Sequence, residues 1–482
     1  MLESGYGKGR SVSCERGGAM GGSTYGGGRG ARSAMSRRDF LRYGGAGIAG
    51  ATLLGACTPR EYTSHVGAAF TGSQSAGKNT VVFTFGPDES GNLVALIDKF
   101  NKENGKGITV EYREMPADSG QYFDKLRTEF QAGTGSVDVI GGDVIWPIQL
   151  AANDWIADLS DLFTEEMRSE YLEAPLQANT YKGKIYGVPW YTDAGMFFYR
   201  KDLLDKAGAR PPETWDEVIA TAKKILRSGD ARYGITFQGA EYEGGVCNGC
   251  EYIWTAGGDI LAPEDPSKIL IANDAAMSGL ETERRLIEEG VAPEATVVYK
   301  EQEVHTAFLG GDYVFSRNWP YMFGLAADPA ISSLKPEQIS VSPLPVNESG
   351  DQSFSALGGW NLFINAQSTK KEEAWEFISF LSTDESQISF AINASLLPTK
   401  KKIYEMKDVL KKQPAVELAK EVTQNARPRP VHPFYSDMSL IMAEGFNENL
   451  KGEASAQATV GELHRELQRI ANIGEEVFSV GG

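Results

Sequence analysis

From Thr80 onward, short apolar runs alternate with segments whose apolar residues recur every three or four positions. "TVVFTFG", starting at Thr80, predicts a buried strand. "GNLVALIDKFNKEN" follows and places Leu93, Leu96, Ile97 and Phe100 on one face of a helix. "ITVEYREM" predicts the next strand, "QYFDKLRTEFQAG" the next helix, and "VDVIGGDVI" a third strand ending in polar residues. A β-α-β-α-β order implies a mostly parallel sheet with helices on its faces, and such sheets take their ligands at the carboxyl ends of the strands. Asp88 and Glu89 follow the first strand and Asp143 closes the third, so all three fall at that edge.

The pattern continues through "RKDLLDKAGARPPETWDEVIATAKKIL", where Thr214 is placed to cap a helix and Glu217, three residues on, completes a capping box. "YGITFQG" opens a second α/β unit. "SVSPLPV", "WNLFIN" and "KKEEAWEFISFLS" return to sheet and helix, and the last hundred residues read as largely helical. One stretch breaks the pattern. "VPWYTDAGMFFYR", Val188 to Arg200, reads as a buried strand but carries Asp193 beside Gly195. A carboxylate in an apolar strand is costly unless paired or hydrogen-bonded, so Asp193 calls for a special position.

The first 56 residues do not follow the pattern. "SRRDFLRYGGAGIAGATLLGAC" combines a twin-arginine export pattern, a short Gly/Ala-rich stretch and a lipobox-like ending at Cys57, the expected lipidation site. Gly45 to Gly50 fits G-x-G-x-x-G, but a dinucleotide fingerprint needs a strand before it. Residues 57–79 read as a flexible polar tether. The formal charge is −18; eight basic and three acidic residues in the leader put the remainder near −23. That balance disfavours nucleic acid or an anionic membrane surface as partner. Cys247 and Cys250 form a lone C-x-x-C that reads as a buried thiol pair, with a local disulfide as the alternative. Four dispersed histidines supply no zinc-ligand spacing, so neither metal nor cofactor is expected.

Several linked segments give the chain a family resemblance: "GDVIWPIQL", "GKIYGVPWYTDAGMFFYRKDLL", "PPETWDEV", "FQGAEYEGGVCNGCEYIWTAGG", "FSRNWPYMFG", "LGGWNLFIN" and "ARPRPVHPFYSDMS". In this order they resemble the extracellular solute-binding proteins of ABC sugar importers, in the maltose/trehalose-binding branch, over about residues 80–475. The resemblance implies a two-lobed α/β periplasmic-binding-protein fold of type II, each lobe a mostly parallel sheet flanked by helices and joined by hinge strands. Crossings are expected near Asp193, Pro345 and Ser382. The N-terminal lobe is then 80–193 with 345–382, and the C-terminal lobe 194–344 with 383–482. It also implies a monomer on a lipid anchor, a disaccharide or oligosaccharide ligand, permease subunits as partners, and no catalysis. An exported glycoside hydrolase, or the same fold with an amino sugar, a glycerol phosphodiester or a longer α-glucan, is the alternative. No G-x-x-x-x-G-K-[ST] run is present, which excludes the transport ATPase itself.

Sugar hydroxyls are best met by carboxylates and Arg, and sugar C–H faces by Trp and Tyr. Carried residue by residue, the resemblance implies ligand contacts from Asp88, Glu89, Asp143, Tyr191, Asp193, Glu301, Trp319, Tyr321, Gly358, Gly359, Trp360 and Arg429. Capping, turn or core roles are the competing readings. Pro320 is expected to hold Trp319 and Tyr321 on a loop, and Gly358 and Gly359 to let backbone approach the ligand. Tyr242 and Glu243 are weaker candidates. Some relatives carry Arg where this chain has Tyr122, which implies stacking on one sugar ring instead of a guanidinium. Asp193 is expected where its strand crosses the cleft floor, relieved of the sheet's full burial.

Overall fold

The computed structural model describes residues 79–262 and 265–479. The twin-arginine segment, the Gly45–Gly50 run, Cys14, the lipobox with Cys57 and all of the tether except Asn79 lie outside the described residues. Two main sheets organise the rest. Their strands, in chain order, are β1 (Thr80–Phe85), β2 (Thr109–Glu114), β3 (Val139–Asp143), β4 (Val188–Ala194), β5 (Met196–Arg200), β6 (Tyr233–Thr236), β7 (Tyr313–Asn318), β8 (Ile339–Ser342), β9 (Ser355–Ile364), β10 (Leu397–Pro398) and β11 (Ala426–Arg427). The first sheet has the order β10-β4-β9-β3-β1-β2, with β11 pairing the start of β9; the second runs β8-β5-β7-β6.

β1, β2 and β3 are parallel, as the β-α-β-α-β pattern implies. β9 pairs antiparallel with β3, and β4 pairs antiparallel with β9, so β4 runs in the same direction as β1 to β3. Helices cover both faces of this sheet. Leu93, Leu96, Ile97 and Phe100 of helix Asn92–Glu103 pack with Val81 and Phe83 on one side, together with Phe377 and Ile378 of helix Lys371–Leu381. On the other side Tyr122, Phe123 and Leu126 of helix Ser119–Ala132 meet Ile140, Trp146 and Phe363. Burial on both faces explains why β1 and β4 lack polar alternation: all seven β4 residues are buried.

β4 and β5 are one extended stretch interrupted only at Gly195, so the chain leaves the first sheet and enters the second within one residue. In the second sheet Phe197, Ile235 and Phe315 pack under helix Trp215–Ser228, while Met196, Phe198 and Tyr313 meet Phe308 and Leu309 of helix Glu301–Leu309. The return passes from β8 to β9. Helix Asp384–Ala394 then lies on helix Asn92–Glu103, with Ser389 Oγ donating to Asn92 Oδ1 at 2.8 Å, and β10 pairs with β4. Residues 384–398 therefore sit with the first sheet. Helix Tyr435–Lys451 packs against helix Glu243–Thr255, and helix Ala456–Ser479 packs on Tyr435–Lys451, all three sharing one core.

That last core holds Cys247 and Cys250, both buried and both free thiols, one helical turn apart. Burial pushes Cys247 up to about 12 and Cys250 well above its ordinary value, so neither is a thiolate at neutral pH. No helix among the described residues is long and apolar enough to cross a membrane.

Local signals behave as their chemistry dictates. Thr214 Oγ1 accepts from Glu217 N at 3.2 Å, and Glu217 Oε2 accepts in turn from Glu213 N at 2.8 Å, one residue before the expected box partner. This start is also fastened to the β8–β9 connection, because Trp215 N donates to Val346 O and Val346 N to Glu213 O. Thr214→Ala is expected to lower urea-unfolding stability by about 1 kcal/mol, the usual cost of losing a Thr cap. An unchanged unfolding midpoint would show that the Val346 ladder holds the helix end by itself.

Candidate ligand-binding site

β9 lies between β3 and β4, and its register gathers the polar edge. Trp360 stands opposite Asp143 on one side and Tyr191 on the other; Gly358 stands opposite Asp193 and Gly359 opposite Thr192. Gly359 has φ 119°, which a side chain rarely tolerates, and an added Cβ would lie 2.5 Å from Tyr191 O. The second sheet supplies its contribution from the end of β7. The Trp319 indole lies against Gly358, with Cζ3 2.9 Å from the place a Cβ would occupy there. Asp143, Tyr191, Asp193, Trp319, Gly358, Gly359 and Trp360 are thus brought together at the junction of the two sheets.

Asp193 departs from expectation. It is only 8% exposed, and its Oδ1 has no hydrogen-bond partner. The extended stretch stays paired up to Ala194, and the Asp193 Cβ and the Trp319 ring both pack against Gly358 of β9, so crossing between sheets does not relieve its burial. Burial, and then the charge of Asp143, push Asp193 well above the usual carboxylate range. Asp143 by contrast is well held. Ser119 Oγ donates to Oδ2 at 2.8 Å, and Arg429 Nη2 to Oδ1 at 3.2 Å.

Arg429 is itself engaged. Nη1 reaches Glu243 Oε1 at 2.7 Å, Nη2 also reaches Leu357 O at 3.3 Å, and only the buried Nε lacks a partner. Tyr435 Oη and Ser439 Oγ donate to the same Glu243. Burial raises Glu243 despite the nearby guanidinium. Glu301 opens its helix, accepting from Tyr242 Oη at 2.7 Å and more weakly from Trp319 Nε1 at 3.4 Å. Glu89 stands at the rim after β1, where partial burial and the charge of Glu301 push its carboxyl up. Burial, and then the charges of Glu301 and Glu89, push the Tyr321 phenol well above its ordinary value. His305 Nδ1 lies 3.0 Å from that phenol oxygen.

Three further expectations meet different surroundings. Asp88 uses both oxygens locally, accepting from Ser90 Oγ and from Val94 N at 2.9 Å each, the turn-and-cap role that its position after a strand favours. Tyr122 is 0% exposed: it donates to Thr84 Oγ1 at 2.9 Å and stacks on Trp360, so it belongs to the core and offers no free face. Tyr321 starts the short helix Tyr321–Leu325 instead of projecting from a loop, because the Pro320 φ of −55° suits a helix start. Trp360 is half-buried among Phe85, Tyr122 and Trp146.

Two contacts join elements that pack on different sheets. Lys300 Nζ lies 2.5 Å from Asp118 Oδ2 and sits over the Tyr242 ring at 4.7 Å; Ser436 Oγ donates to Gln149 Oε1 at 2.7 Å. Sequence reasoning passed over Lys300, Tyr435, Arg317 and Glu251. The last had a signal: it is a single carboxylate in the apolar helix run "CNGCEYIW", the same anomaly that singled out Asp193. Among the described residues no group of three His, Cys, Asp or Glu is placed to hold a metal ion. Hydrogen-bond acceptors beside flat rings, at the meeting of two sheets, suit a hydroxyl-rich ligand with apolar faces.

The family profile described as bacterial extracellular solute-binding protein matches residues 86–388. A probable ABC transporter-binding protein of Deinococcus radiodurans is 35% identical over 330 residues, 67% of this chain and 77% of the relative. A putative binding protein of Brucella abortus is 25% identical over 395 residues, 81% of this chain and 93% of the relative. Among solved structures, maltose-bound MalE3 of T. maritima superposes with a TM-score of 0.77 at 34% identity, covering 81% of this chain and 99% of that one. The GacH receptor of Streptomyces glaucescens, at 22% identity and a TM-score of 0.71 over 81% of this chain and 98% of its own, shares the fold. The two-lobed architecture is that of these proteins, and the chain belongs to the bacterial extracellular solute-binding proteins, as the resemblance of its linked motifs to ABC sugar-importer components implied.

Proposed function

We propose that the chain captures an α-linked disaccharide of the maltose or trehalose type between its two lobes and delivers it to the permease of an ABC importer, without catalysing a reaction on it. In this reading it is exported through the twin-arginine segment and anchored to the outer face of the membrane at Cys57. The observation that carries the reading is Asp193: a buried carboxyl with an unpartnered oxygen, bordered by Trp319 and the Gly358 backbone. A carboxylate there accepts sugar hydroxyls, and Trp319 and Tyr321 offer flat faces to the ring C–H groups. Glu89 and Glu301 supply acceptors from the other side. Arg429 acts chiefly by fixing Asp143 and Glu243, with Nε left to reach a hydroxyl. The maltose in the T. maritima relative, at 34% identity, agrees with this ligand class.

In the lobe division we propose, the first lobe comprises 80–194 and 355–398 and the second 196–342 and 435–479. The third crossing then falls after Pro398 instead of near Ser382, because helix Asp384–Ala394 and β10 pack with the first sheet.

Calorimetry of the chain against maltose, trehalose, sucrose and longer α-glucans tests the ligand class; no heat with any α-linked disaccharide sinks it, as does turnover of a glycoside that is lost in Asp193→Asn. Asp193→Ala is expected to weaken maltose binding by roughly 100-fold, the scale of two lost charge-assisted hydrogen bonds. Asp193→Asn keeps the shape and removes a buried acid whose ionisation costs stability, so its thermal midpoint should rise by a few degrees while affinity falls. A neutral variant that binds as tightly as the wild type would remove Asp193 from the site.

Proton linkage gives an independent check. Asp193 and Glu89 both have raised carboxyls in the ligand-free chain, through burial and through Asp143 and Glu301 respectively. A raised acid costs stability as pH climbs from about 4, its ordinary value, through its folded value. Sugar hydroxyls favour the ionised form, so capture lowers both values and releases protons within that window. Maltose affinity should therefore increase as pH rises through it. Calorimetry in buffers of different ionisation enthalpy should give net proton release; zero exchange would place both carboxyls away from the ligand.

A further inference from the structure

Arg317 and Glu251 form a fully buried ion pair that no ligand contact explains. Arg317 Nε lies 2.7 Å from Glu251 Oε2 and Nη2 2.5 Å from Oε1, a two-pronged arrangement with side chains 2% and 4% exposed. Replacing such a pair by well-packed apolar side chains is often neutral or stabilising, so stability alone does not account for it. Its surroundings do. Gly195, the single residue between β4 and β5, packs directly on it: an added Cβ would lie 2.0 Å from Glu251 Oε1 and 2.4 Å from Arg317 Nη2.

The second crossing strand touches the same pair. Ala356 N, at the start of β9, donates to Glu251 Oε1 at 2.9 Å. Ser355 Oγ donates to Gly195 O at 2.7 Å, and Gly195 N to Ala356 O at 3.3 Å, so the two crossings are laced to each other as well. On its other side the guanidinium stacks on Trp319, 4.1 Å from the ring centroid. Residues 317 and 319 are two apart where β7 ends, which puts them on one face. Gln238 Oε1, 3.3 Å from Nη1, holds the fork from below.

We propose that the Arg317–Glu251 pair is a hinge clamp: it fixes the backbone at both crossing strands and, through the stacked guanidinium, seats Trp319 for the ligand. Arg317 and Glu251 are then positioning residues. Opening that rotates β9 at Ser355–Ala356 pulls on the Glu251 acceptor and on Trp319 together, so ligand capture and lobe angle are coupled through one pair. This rests on the sugar-binding reading for its ligand readout but not for its backbone readout.

Two variants test it: Arg317→Lys, which keeps the charge and loses the fork, and the double variant Arg317→Met with Glu251→Met, which keeps an apolar pair of similar volume. Stopped-flow Trp fluorescence with maltose should show dissociation about tenfold faster and association within about twofold of wild type, at a thermal midpoint near the wild-type value. Hydrogen exchange of the ligand-free chain, read by mass spectrometry, should show faster exchange at Gly195 and Ala356. Unchanged dissociation, or an affinity loss that only follows a fall in thermal midpoint, overturns the clamp. If wild-type protein gives no maltose response, the disaccharide reading falls and the clamp is judged by exchange alone: faster exchange at both amides in Arg317→Lys supports it, and equal exchange overturns it.

Discussion

β9 pairs with β3 through Trp360 and Asp143, and with β4 through Gly358 and Asp193. A strand has a side-chain period of two, so a slip of one residue in either pairing would turn Trp360 to the opposite face and part Gly358 from Asp193. The two glycines hold that register. Gly359 takes a backbone angle closed to most residues, and Gly358 leaves the space in which Trp319 from the second sheet rests. The cleft chemistry therefore depends on a strand that contributes little polar chemistry of its own. Asp143 comes from β3 and Tyr191 and Asp193 from β4, and β9, lying between those two strands, brings their residues to one place.

The same junction sorts the buried charges. Arg429 is shared between Asp143 and Glu243, Arg317 belongs to Glu251, and Lys300 is held by Asp118. These cations are committed to protein carboxylates, while Asp193 and Glu89 carry raised values through burial and other acids. An anionic ligand would meet acidic side chains here and none of these cations uncommitted. That argues against a glycerol phosphodiester and for a ligand whose hydroxyls donate. The overall charge of −18 points the same way at longer range.

Legibility in the sequence followed the range of the forces involved. The strands β1 to β3 and their helices were readable because apolar periodicity is local, and the Thr214 cap because its partner is three residues away. Asp193 stood out because a lone carboxylate in an apolar run violates a local rule. Its burial was not readable, since the residues it packs with around Gly358, on β9 and at Trp319, lie far along the chain. Tyr122 was misread for the same reason: nothing nearby in sequence shows that Thr84 and Trp360 enclose it. The sequence of Asp384–Ala394 does not tie it to either sheet; its contact with Asn92 and the pairing of β10 with β4 show which one it serves. Glu251 carried the same local anomaly as Asp193, yet its meaning lies wholly in partners at 195, 317 and 356.

Contacts across the cleft differ in how far solvent weakens them. The Lys300–Asp118 pair is at the rim, with the lysine side chain 39% exposed, so it belongs to the class of surface pairs worth roughly 0–1 kcal/mol and screened by salt. The Arg317–Glu251 pair is sealed from water and from that screening. A closed geometry held mainly by rim contacts would drift with ionic strength; one set at the hinge would not. A ligand shifts lobe closure only by the difference in its affinity for the open and closed forms. Weak rim contacts leave that difference to the cleft, where Asp193 and Trp319 lie within one clamp's reach of the strands that bend. With the proposed site and clamp, selectivity for the ligand and the angle at which the lobes meet would be set by the same few residues.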